Sequence, residues 1–148
     1  MKRICIYYSH SGNGKVVSSK LKEKDIDIRE VTPKKELPKS LFGSMMKGGF
    51  LATVKHKSKL VDFDNNIEGY EEIIIASPIW NARFSTPING ALSQLDLKDK
   101  KVTFVLYSAS GEAKKAIKRI NKEYAGARVI ILKEPKKYPE ELSKLDEI

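Results

Sequence analysis

The sequence predicts an α/β fold in which helices cover both faces of a parallel sheet. Three continuous apolar runs, residues 3–8, 72–77 and 101–107, lack polar alternation, as expected of strands buried on both faces. Segments with the apolar spacing of helices lie between the strands, and the two kinds of element alternate five times along the chain. Such alternation implies right-handed crossovers and therefore parallel strands.

The first strand leads into a run of turn-forming residues, 9–14, and then into apolar residues at helical intervals. Ser11 or Asn13 could cap this helix. The second strand, residues 27–31, alternates apolar and polar side chains, which favours a half-exposed place near a sheet edge. Pro33 ends it.

Three further elements are predicted in the middle of the chain. Residues 40–54 carry apolar side chains at helical intervals, which predicts a helix that covers the sheet, although three glycines weaken the pattern. The apolar run 72–77 is a central strand that Pro78 ends. Thr86 and Pro87 then begin a helix that continues to Leu95.

After the strand at 101–107, the pattern predicts a helix over 111–124, a strand over 127–132 and a short helix over 139–145. A chain of 148 residues with 41% hydrophobic positions is long enough to bury one core. We therefore expect residues 1–148 to form a single domain.

The chain has one cysteine, Cys5, which lies inside the first apolar run. A single cysteine excludes an intramolecular disulfide, and its place predicts a buried structural thiol. Free thiols are common in reducing compartments, so we expect a cytoplasmic protein. The apolar run that follows the basic start of the chain is too short for a signal peptide or a membrane span.

The chain is strongly basic, with 28 Lys and Arg against 19 Asp and Glu and a net charge of +9. Seven lysines lie between residues 32 and 61, and a second group would form one helix face: Lys114, Lys115, Lys118, Arg119 and Lys122. This charge favours acidic partners. Because no recognition motif with interleaved aromatic residues accompanies the lysines, a solvated surface is the preferred interpretation, and no specific nucleic-acid binding is predicted.

Ligands of doubly wound sheets bind beyond the carboxyl ends of the strands, where the strand order reverses. Three segments of this chain are predicted to lie there. We call them the first loop (residues 9–15), the second loop (77–87) and the third loop (108–111).

The first loop offers hydroxyls, backbone N–H groups and the positive end of a helix dipole, which together make an anion cradle. Three phosphate motifs are excluded. Val17 replaces the third glycine of the dinucleotide fingerprint, and Val16 replaces the Ser or Thr of a Walker loop. Ser11 replaces the arginine that a small cysteine phosphatase needs six residues after its nucleophile. The alternative is an ordinary strand-to-helix turn.

The second loop contains the only tryptophan, Trp80, just past the central strand. Its indole can stack on a flat heteroaromatic ring. The alternative is that Trp80 packs on the following helix as part of the core. The third loop has small residues, so its backbone amides can approach the polar edge of a ring. The alternative there is a helix cap made by Ser110.

Together these residues resemble the flavodoxin family, and the resemblance extends from the first strand to the fifth. The first loop is similar to that family's phosphate loop, with Gly14 in place of a second hydroxyl residue and Lys15 as an added charge. The second loop is similar to the one whose aromatic residue flanks the isoalloxazine ring, and the third to the one that holds the pyrimidine edge of the ring. The cofactor-binding residues that the resemblance implies are Ser9, His10, Ser11, Gly12, Asn13, Gly14, Lys15, Ser77, Pro78, Ile79, Trp80, Asn81, Ser108, Ala109, Ser110 and Gly111.

The resemblance implies a five-stranded flavodoxin-like sheet in the order 2-1-3-4-5, with non-covalently bound FMN. It also implies a redox protein that acts in electron transfer with a partner protein. Electron-carrying flavodoxins are typically acidic and this chain is basic, so two alternatives stay open. One is an FMN-dependent NAD(P)H:quinone-type oxidoreductase that acts on a small-molecule oxidant. The other is a non-enzymatic anion-binding module on the same fold.

Because a flavin would supply the redox chemistry itself, we predict no catalytic side chain and no metal ligand. His10 is a candidate proton donor or phosphate contact, but a lone histidine in a polar loop is more often merely exposed.

Overall fold

The computed structural model describes residues 1–35 and 57–148. In these residues the parallel strands are β1 (Arg3–Tyr7), β2 (Asp27–Glu30), β3 (Glu72–Trp80), β5 (Lys101–Ser108) and β6 (Arg128–Lys133), in the order β2-β1-β3-β5-β6. A two-residue strand, β4 (Arg83–Phe84), pairs antiparallel with the end of β3. Counted along the chain, the parallel strands have the order 2-1-3-4-5. The predicted fold class is therefore confirmed, with one short strand added.

The described helices are α1 (Asn13–Lys22), α2 (Thr86–Leu92), α3 (Lys114–Glu123) and a C-terminal 3-10 helix (Pro139–Glu147). They pack in two hydrophobic clusters. Val17 of α1 and Leu145 of the 3-10 helix belong to one cluster, whereas Ile88 of α2 and Ile120 of α3 belong to the other. Helices therefore cover both faces of the sheet, as the sequence predicts.

The central strand β3 contributes side chains to both clusters. Ile73 and Ile75 belong to one and Ile74 and Ala76 to the other, and none of the four is exposed. This confirms a strand buried on both faces. Cys5 on β1 is a free thiol in the core, and burial raises its pKa, so the thiol stays protonated and is a packing residue.

The prediction that Pro78 ends the central strand is wrong, because β3 continues to Trp80. β1 ends at Tyr7, which pairs with Ala76, so beyond that pair β1 offers β3 no further partner. A proline lacks the N–H donor and is tolerated where one side of a strand is open. The chain then turns back into β4, so the second loop begins as a hairpin rather than as an irregular loop.

The predicted capping of α1 by Ser11 or Asn13 is also wrong. Gly12 occupies the N-cap with a φ of 101°. The N–H of Lys15 in the first turn donates to Ser9 Oγ at 3.3 Å, so the side chain that bonds to this helix start comes from neither predicted residue. The side chain of Asn13 is engaged elsewhere, because its Oδ1 accepts a hydrogen bond from the backbone N–H of Lys136 at 3.0 Å. Asn13 therefore contacts the final part of the chain instead of capping its own helix.

The helix predicted to reach Leu95 ends at Leu92. The N–H groups of Gln94 and Leu95 donate to carbonyls three residues back, at 3.0 and 3.4 Å, so the chain tightens and leaves the α-helix. The helix predicted over residues 40–54 lies outside the described residues. Within 1–35 and 57–148, no helix is long and apolar enough to cross a membrane.

Candidate functional site

The three predicted loops lie at one edge of the sheet, because β1, β3 and β5 are parallel neighbours. Hydrogen bonds tie the ends of these strands together beneath the loops. The N–H of Tyr8 donates to the carbonyl of Ala76 at 3.2 Å, and the hydroxyl of Tyr107 donates to the carbonyl of Tyr8. The edge is therefore a connected platform built from all three strand ends.

The first loop ends in a tight turn at the start of α1. Gly12 is left-handed, a conformation that favours glycine. The N–H of Lys15 donates to Ser9 Oγ at 3.3 Å, and Ser11 Oγ accepts from the amide of Asn13 at the same distance. The N–H groups of a first helical turn lack partners within the helix, so they and the helix dipole present positive potential here.

Gly14 is buried against the platform. A Cβ at this position would lie 2.6 Å from the carbonyl oxygen of Tyr8 and 2.7 Å from Tyr107 Oη. The space that a second hydroxyl side chain would fill is therefore occupied by the strand ends themselves. The absence of a hydroxyl at Gly14 has a packing cause.

Lys15 directs its charge toward the end of β2. Its Nζ lies 2.9 Å from both carboxylate oxygens of Glu30 and 3.4 Å from the hydroxyl of Tyr7. The hydrogen bond to Glu30 raises the pKa of Lys15. The ammonium group is therefore paired within the protein.

The hairpin of the second loop turns at Asn81 and Ala82, which have φ values of 50° and 64°. Trp80 and Arg83 pair on either side of them. Positive φ at both central residues is typical of the type I′ turn, whose twist matches that of the flanking strands. The backbone carbonyl of Ala82 accepts a hydrogen bond from Ala116 at 2.8 Å, so α3 holds the turn in place.

Ser77, one of the predicted site residues, is fully buried at the base of this hairpin. Its Oγ donates to the carbonyl of Pro78 at 2.8 Å and accepts from the N–H of Ser85 at 3.2 Å. The hydroxyl of Ser77 therefore closes the hairpin in this structure.

Trp80 is 4% exposed and packs in the cluster that also contains Ile88 of α2. The rings of Tyr8 and His10 meet the indole edge-on, with centroids 6.0 and 6.2 Å away. Tyr8 Oη and His10 Nδ1 are 3.3 Å apart. The structure thus joins the first and second loops through an aromatic contact that sequence analysis did not foresee.

In the third loop, Ala109 and Ser110 are exposed and Gly111 has a φ of 77°. Ser110 Oγ accepts from the N–H of Glu112 at 3.2 Å, although the N-cap of α3 is Ala113. Ser108 Oγ is buried and has no hydrogen-bond partner within the described part of the chain. A buried hydroxyl of this kind is a candidate ligand contact.

A fourth segment, residues 134–138 after β6, reaches the same edge, and we call it the final loop. The N–H of Glu134 donates to the carbonyl of Ser108 at 3.1 Å, and that of Lys136 to Asn13. This segment is not among the loops that the sequence pattern predicts at this edge. The available signal was the lysine-rich run that directly follows the last predicted strand, since that strand ends at the same edge.

A basic cavity of about 340 Å³ lies between β4 and α3, and we call it the α3 groove. Its lining residues are Arg83, Lys115, Lys118, Arg119, Lys122 and Glu123. Arg119 is held by Asn89 Oδ1 at 2.7 Å and lies over the ring of Phe84. Arg83 Nε is buried without a hydrogen-bond partner among the described residues. Most of the lysines predicted to share one face of this helix therefore border a concave surface beside the second loop.

No protein-family model and no curated protein sequence matches the chain. Solved structures match it closely in fold. A candidate flavoprotein from Bacteroides eggerthii has a TM-score of 0.76 at 19% identity, covering 99% of this chain and 97% of that one. A flavoprotein from Lactobacillus acidophilus in complex with FMN has a TM-score of 0.66 at 23% identity, covering 94% and 97%. The apo-form of the Lactobacillus acidophilus flavoprotein has a TM-score of 0.58 at 25% identity, covering 88% and 89%. The chain therefore has the flavodoxin-like fold of these proteins.

Proposed function

We propose that this chain binds FMN non-covalently at the carboxyl edge of its sheet and acts as a redox protein. The observation that carries the proposal is the turn at residues 12–14. Left-handed Gly12 and tightly packed Gly14 have no side chains of their own at the N-terminus of α1, where backbone N–H groups suit a phosphate group. The Lactobacillus acidophilus flavoprotein, which shares the fold, is seen in complex with FMN, and this supports the same ligand here.

The residues present fit both ends of FMN. At the phosphate end the first loop offers the hydroxyls of Ser9 and Ser11 and the N–H groups of the first turn of α1. At the ring end the buried Oγ of Ser108 has no partner in the described residues, and the polar edge of a flavin would satisfy it. Ala109 and Gly111 add backbone amides without bulky side chains.

Trp80 is the aromatic residue that we assign to the flavin ring. Its indole is covered in the structure, with His10 of the first loop against it. Stacking on Trp80 therefore requires neighbouring side chains to shift, so binding includes a local rearrangement around the indole. Without that shift, Trp80 would act only as a buried wall of the site.

When bound, FMN supplies the redox chemistry, because the flavin takes up and gives up electrons. The protein residues bind and orient it. The turn at 12–14 would hold the phosphate. Trp80 and the hairpin turn at Asn81 would hold one side of the ring, and the third loop, which includes Ser108, would bind its polar edge. No side chain is assigned a proton-transfer step.

We propose electron transfer with an acidic partner protein as the use of this cofactor. The α3 groove supports this assignment, since exposed lysines flank the second loop, where the ring would lie. Opposite charge speeds association and orients the partner. The same groove favours a second candidate, an NAD(P)H:quinone-type oxidoreductase, because its cations could bind the phosphates of a nicotinamide nucleotide beside the ring.

The first experiment titrates the purified protein with FMN. Trp80 is the only tryptophan in the chain, so its emission reports directly on the candidate site. We expect both indole and flavin fluorescence to fall on binding, and the flavin to stay with the protein through a desalting column. Retention of no flavin would contradict the proposal and favour the anion-binding alternative.

A matched pair of variants tests the place of the ring. Trp80→Leu and Phe84→Leu each remove one buried aromatic ring from the same hairpin. Stacking on an aromatic side chain is worth about 1–3 kcal/mol, so Trp80→Leu should weaken FMN binding about fivefold or more. Phe84→Leu should cost stability but leave FMN affinity within about threefold of the wild type. Equal losses of affinity would reject the placement of Trp80 against the ring.

The two uses of the cofactor are separated by reducing the FMN-loaded protein with NADH or NADPH in the presence of a quinone. Rapid, saturable oxidation that weakens in Lys118→Gln would support the oxidoreductase. Electron carriage predicts slow reduction by either nucleotide and no change in that variant.

A further inference from the structure

Lys136 of the final loop lies directly across Gly12. A Cβ at Gly12 would be 3.0 Å from both Cδ and Nζ of Lys136. The lysine side chain therefore occupies the space left by the missing Gly12 side chain. Its ammonium group lies at the turn where α1 begins.

The backbone of Lys136 is fixed in this position. Its N–H donates to Asn13 Oδ1 at 3.0 Å, which ties it to the first residue of α1. The N–H groups of Lys137 and Tyr138 both donate to the carbonyl of Glu134 at 2.9 Å. The N–H of Glu134 in turn donates a hydrogen bond to the carbonyl of Ser108. The final loop is therefore a closed turn clamped to the first and third loops.

The ammonium group of Lys136, unlike those of the other lysines nearby, lies beside Gly12 at the start of α1. Lys15 is paired with Glu30. Lys133 and Lys137 place their ammonium groups 5.4 and 5.5 Å from the centre of the Tyr138 ring. Among the described residues, no carboxylate forms an ion pair with Lys136.

We propose that Lys136 binds the phosphate of the flavin nucleotide and so makes the site selective for FMN over riboflavin. This inference rests on the proposed function. A phosphate monoester carries close to two negative charges at neutral pH. The first turn of α1 supplies N–H donors but only a partial positive charge, and Lys136 adds a full one at the same place.

The test measures dissociation constants for FMN and for riboflavin in the wild type, Lys136→Gln and Lys137→Gln. The two variants lose the same charge at adjacent exposed positions, and Lys137 faces Tyr138 instead of Gly12. Lys136→Gln should weaken FMN binding about tenfold, as expected for an exposed charge-assisted hydrogen bond, and leave riboflavin binding unchanged. Lys137→Gln should change FMN binding by less than about threefold.

Two further measurements sharpen the result. Added salt should weaken FMN binding more in the wild type than in Lys136→Gln, because salt screens the ion pair. Lys136→Arg keeps the charge and should retain most of the affinity. Equal effects of Lys136→Gln and Lys137→Gln, or a parallel loss of riboflavin binding, would overturn the role of Lys136 while the FMN site itself stands.

Failure of the wild type to bind either flavin would instead reject the proposed function. Inorganic phosphate then tests Lys136 alone, through the thermal unfolding midpoint at constant ionic strength. Stabilisation of the wild type but not of Lys136→Gln would support an anion site that includes Lys136. The same response in both proteins would overturn the inference.

Discussion

Gly14 packs so closely against Tyr107 that a side chain at position 14 would lie 2.7 Å from the tyrosine hydroxyl. That hydroxyl also donates to the carbonyl of Tyr8. The hydroxyl oxygen of Tyr107, at the end of β5, therefore contacts both the first turn of α1 and the residue that follows β1. This contact sets the position of the candidate phosphate turn relative to the sheet.

We expect Gly14→Ala to destabilise the protein. Alanine favours a helix over glycine by about 1 kcal/mol, so without a clash the change would stabilise α1. The new Cβ would meet the carbonyl of Tyr8 and the hydroxyl of Tyr107, and overpacking of this kind costs about 1–3 kcal/mol. The unfolding free energy measured in urea shows whether the substitution stabilises or destabilises the protein. A gain in unfolding free energy would show that the contact is looser than described.

Tyr107→Phe should cost about 1–3 kcal/mol at neutral pH, because it leaves the buried carbonyl of Tyr8 without its donor. Burial raises the pKa of Tyr107 well above its usual value of 10.0. The stability that this hydroxyl contributes is therefore complete below about pH 10 and is lost as the pH rises, since the unfolded chain ionises first. The difference between wild type and variant in urea unfolding should shrink above that pH. Tyr138→Phe, at a half-buried tyrosine, is the control and should change little.

The arrangement of the sheet follows from the sequence because apolar runs of this kind fit only strands with two covered faces. Ile73, Ile74 and Ile75 show this most clearly, since neighbouring side chains point to opposite faces and all three are buried. The error at Pro78 has a tertiary cause. The missing N–H of a proline ends a strand only where a neighbouring strand would accept its hydrogen bond. β1 ends before it could pair with Pro78, so β3 continues.

The shared edge of the three loops was also predictable, since each loop follows a buried strand of one parallel sheet. Their internal contacts were not. The partner of the Tyr8 carbonyl is 99 residues away in sequence, and Asn13 and Lys136 are 123 residues apart. Local patterns carry no information on such pairs, so the sequence predicts neither the packing of Gly14 nor the place of the final loop.

Ala82→Gly should stabilise the β3–β4 hairpin. Ala82 has a φ of 64°, a left-handed conformation that costs a non-glycine residue about 1–2 kcal/mol. Glycine removes that strain but gains freedom in the unfolded chain, so we expect a net increase of up to about 1 kcal/mol in unfolding free energy. Ala109→Gly, at an exposed position without positive φ, should lower stability or leave it unchanged. A loss at Ala82 equal to that at Ala109 would contradict strain in the turn.

Glu141 of the C-terminal 3-10 helix links acid stability to the end of β6. Its Oε1 accepts the N–H of Lys133 at 2.7 Å and lies 2.9 Å from Lys144 Nζ. The Lys133 N–H, followed by Lys144, lowers the pKa of Glu141 below its usual 4.5. The folded protein thus favours the carboxylate, so this stability is present above pH 4.5 and is lost as the pH falls through the lowered value.

Glu141→Gln should be less stable than the wild type at neutral pH, and urea unfolding should show the gap closing in acid. Glu140→Gln removes the same charge one residue earlier, and its unfolding free energy should equal that of the wild type at both pH values. A gap that persists at low pH would mean that packing, not charge, accounts for the loss.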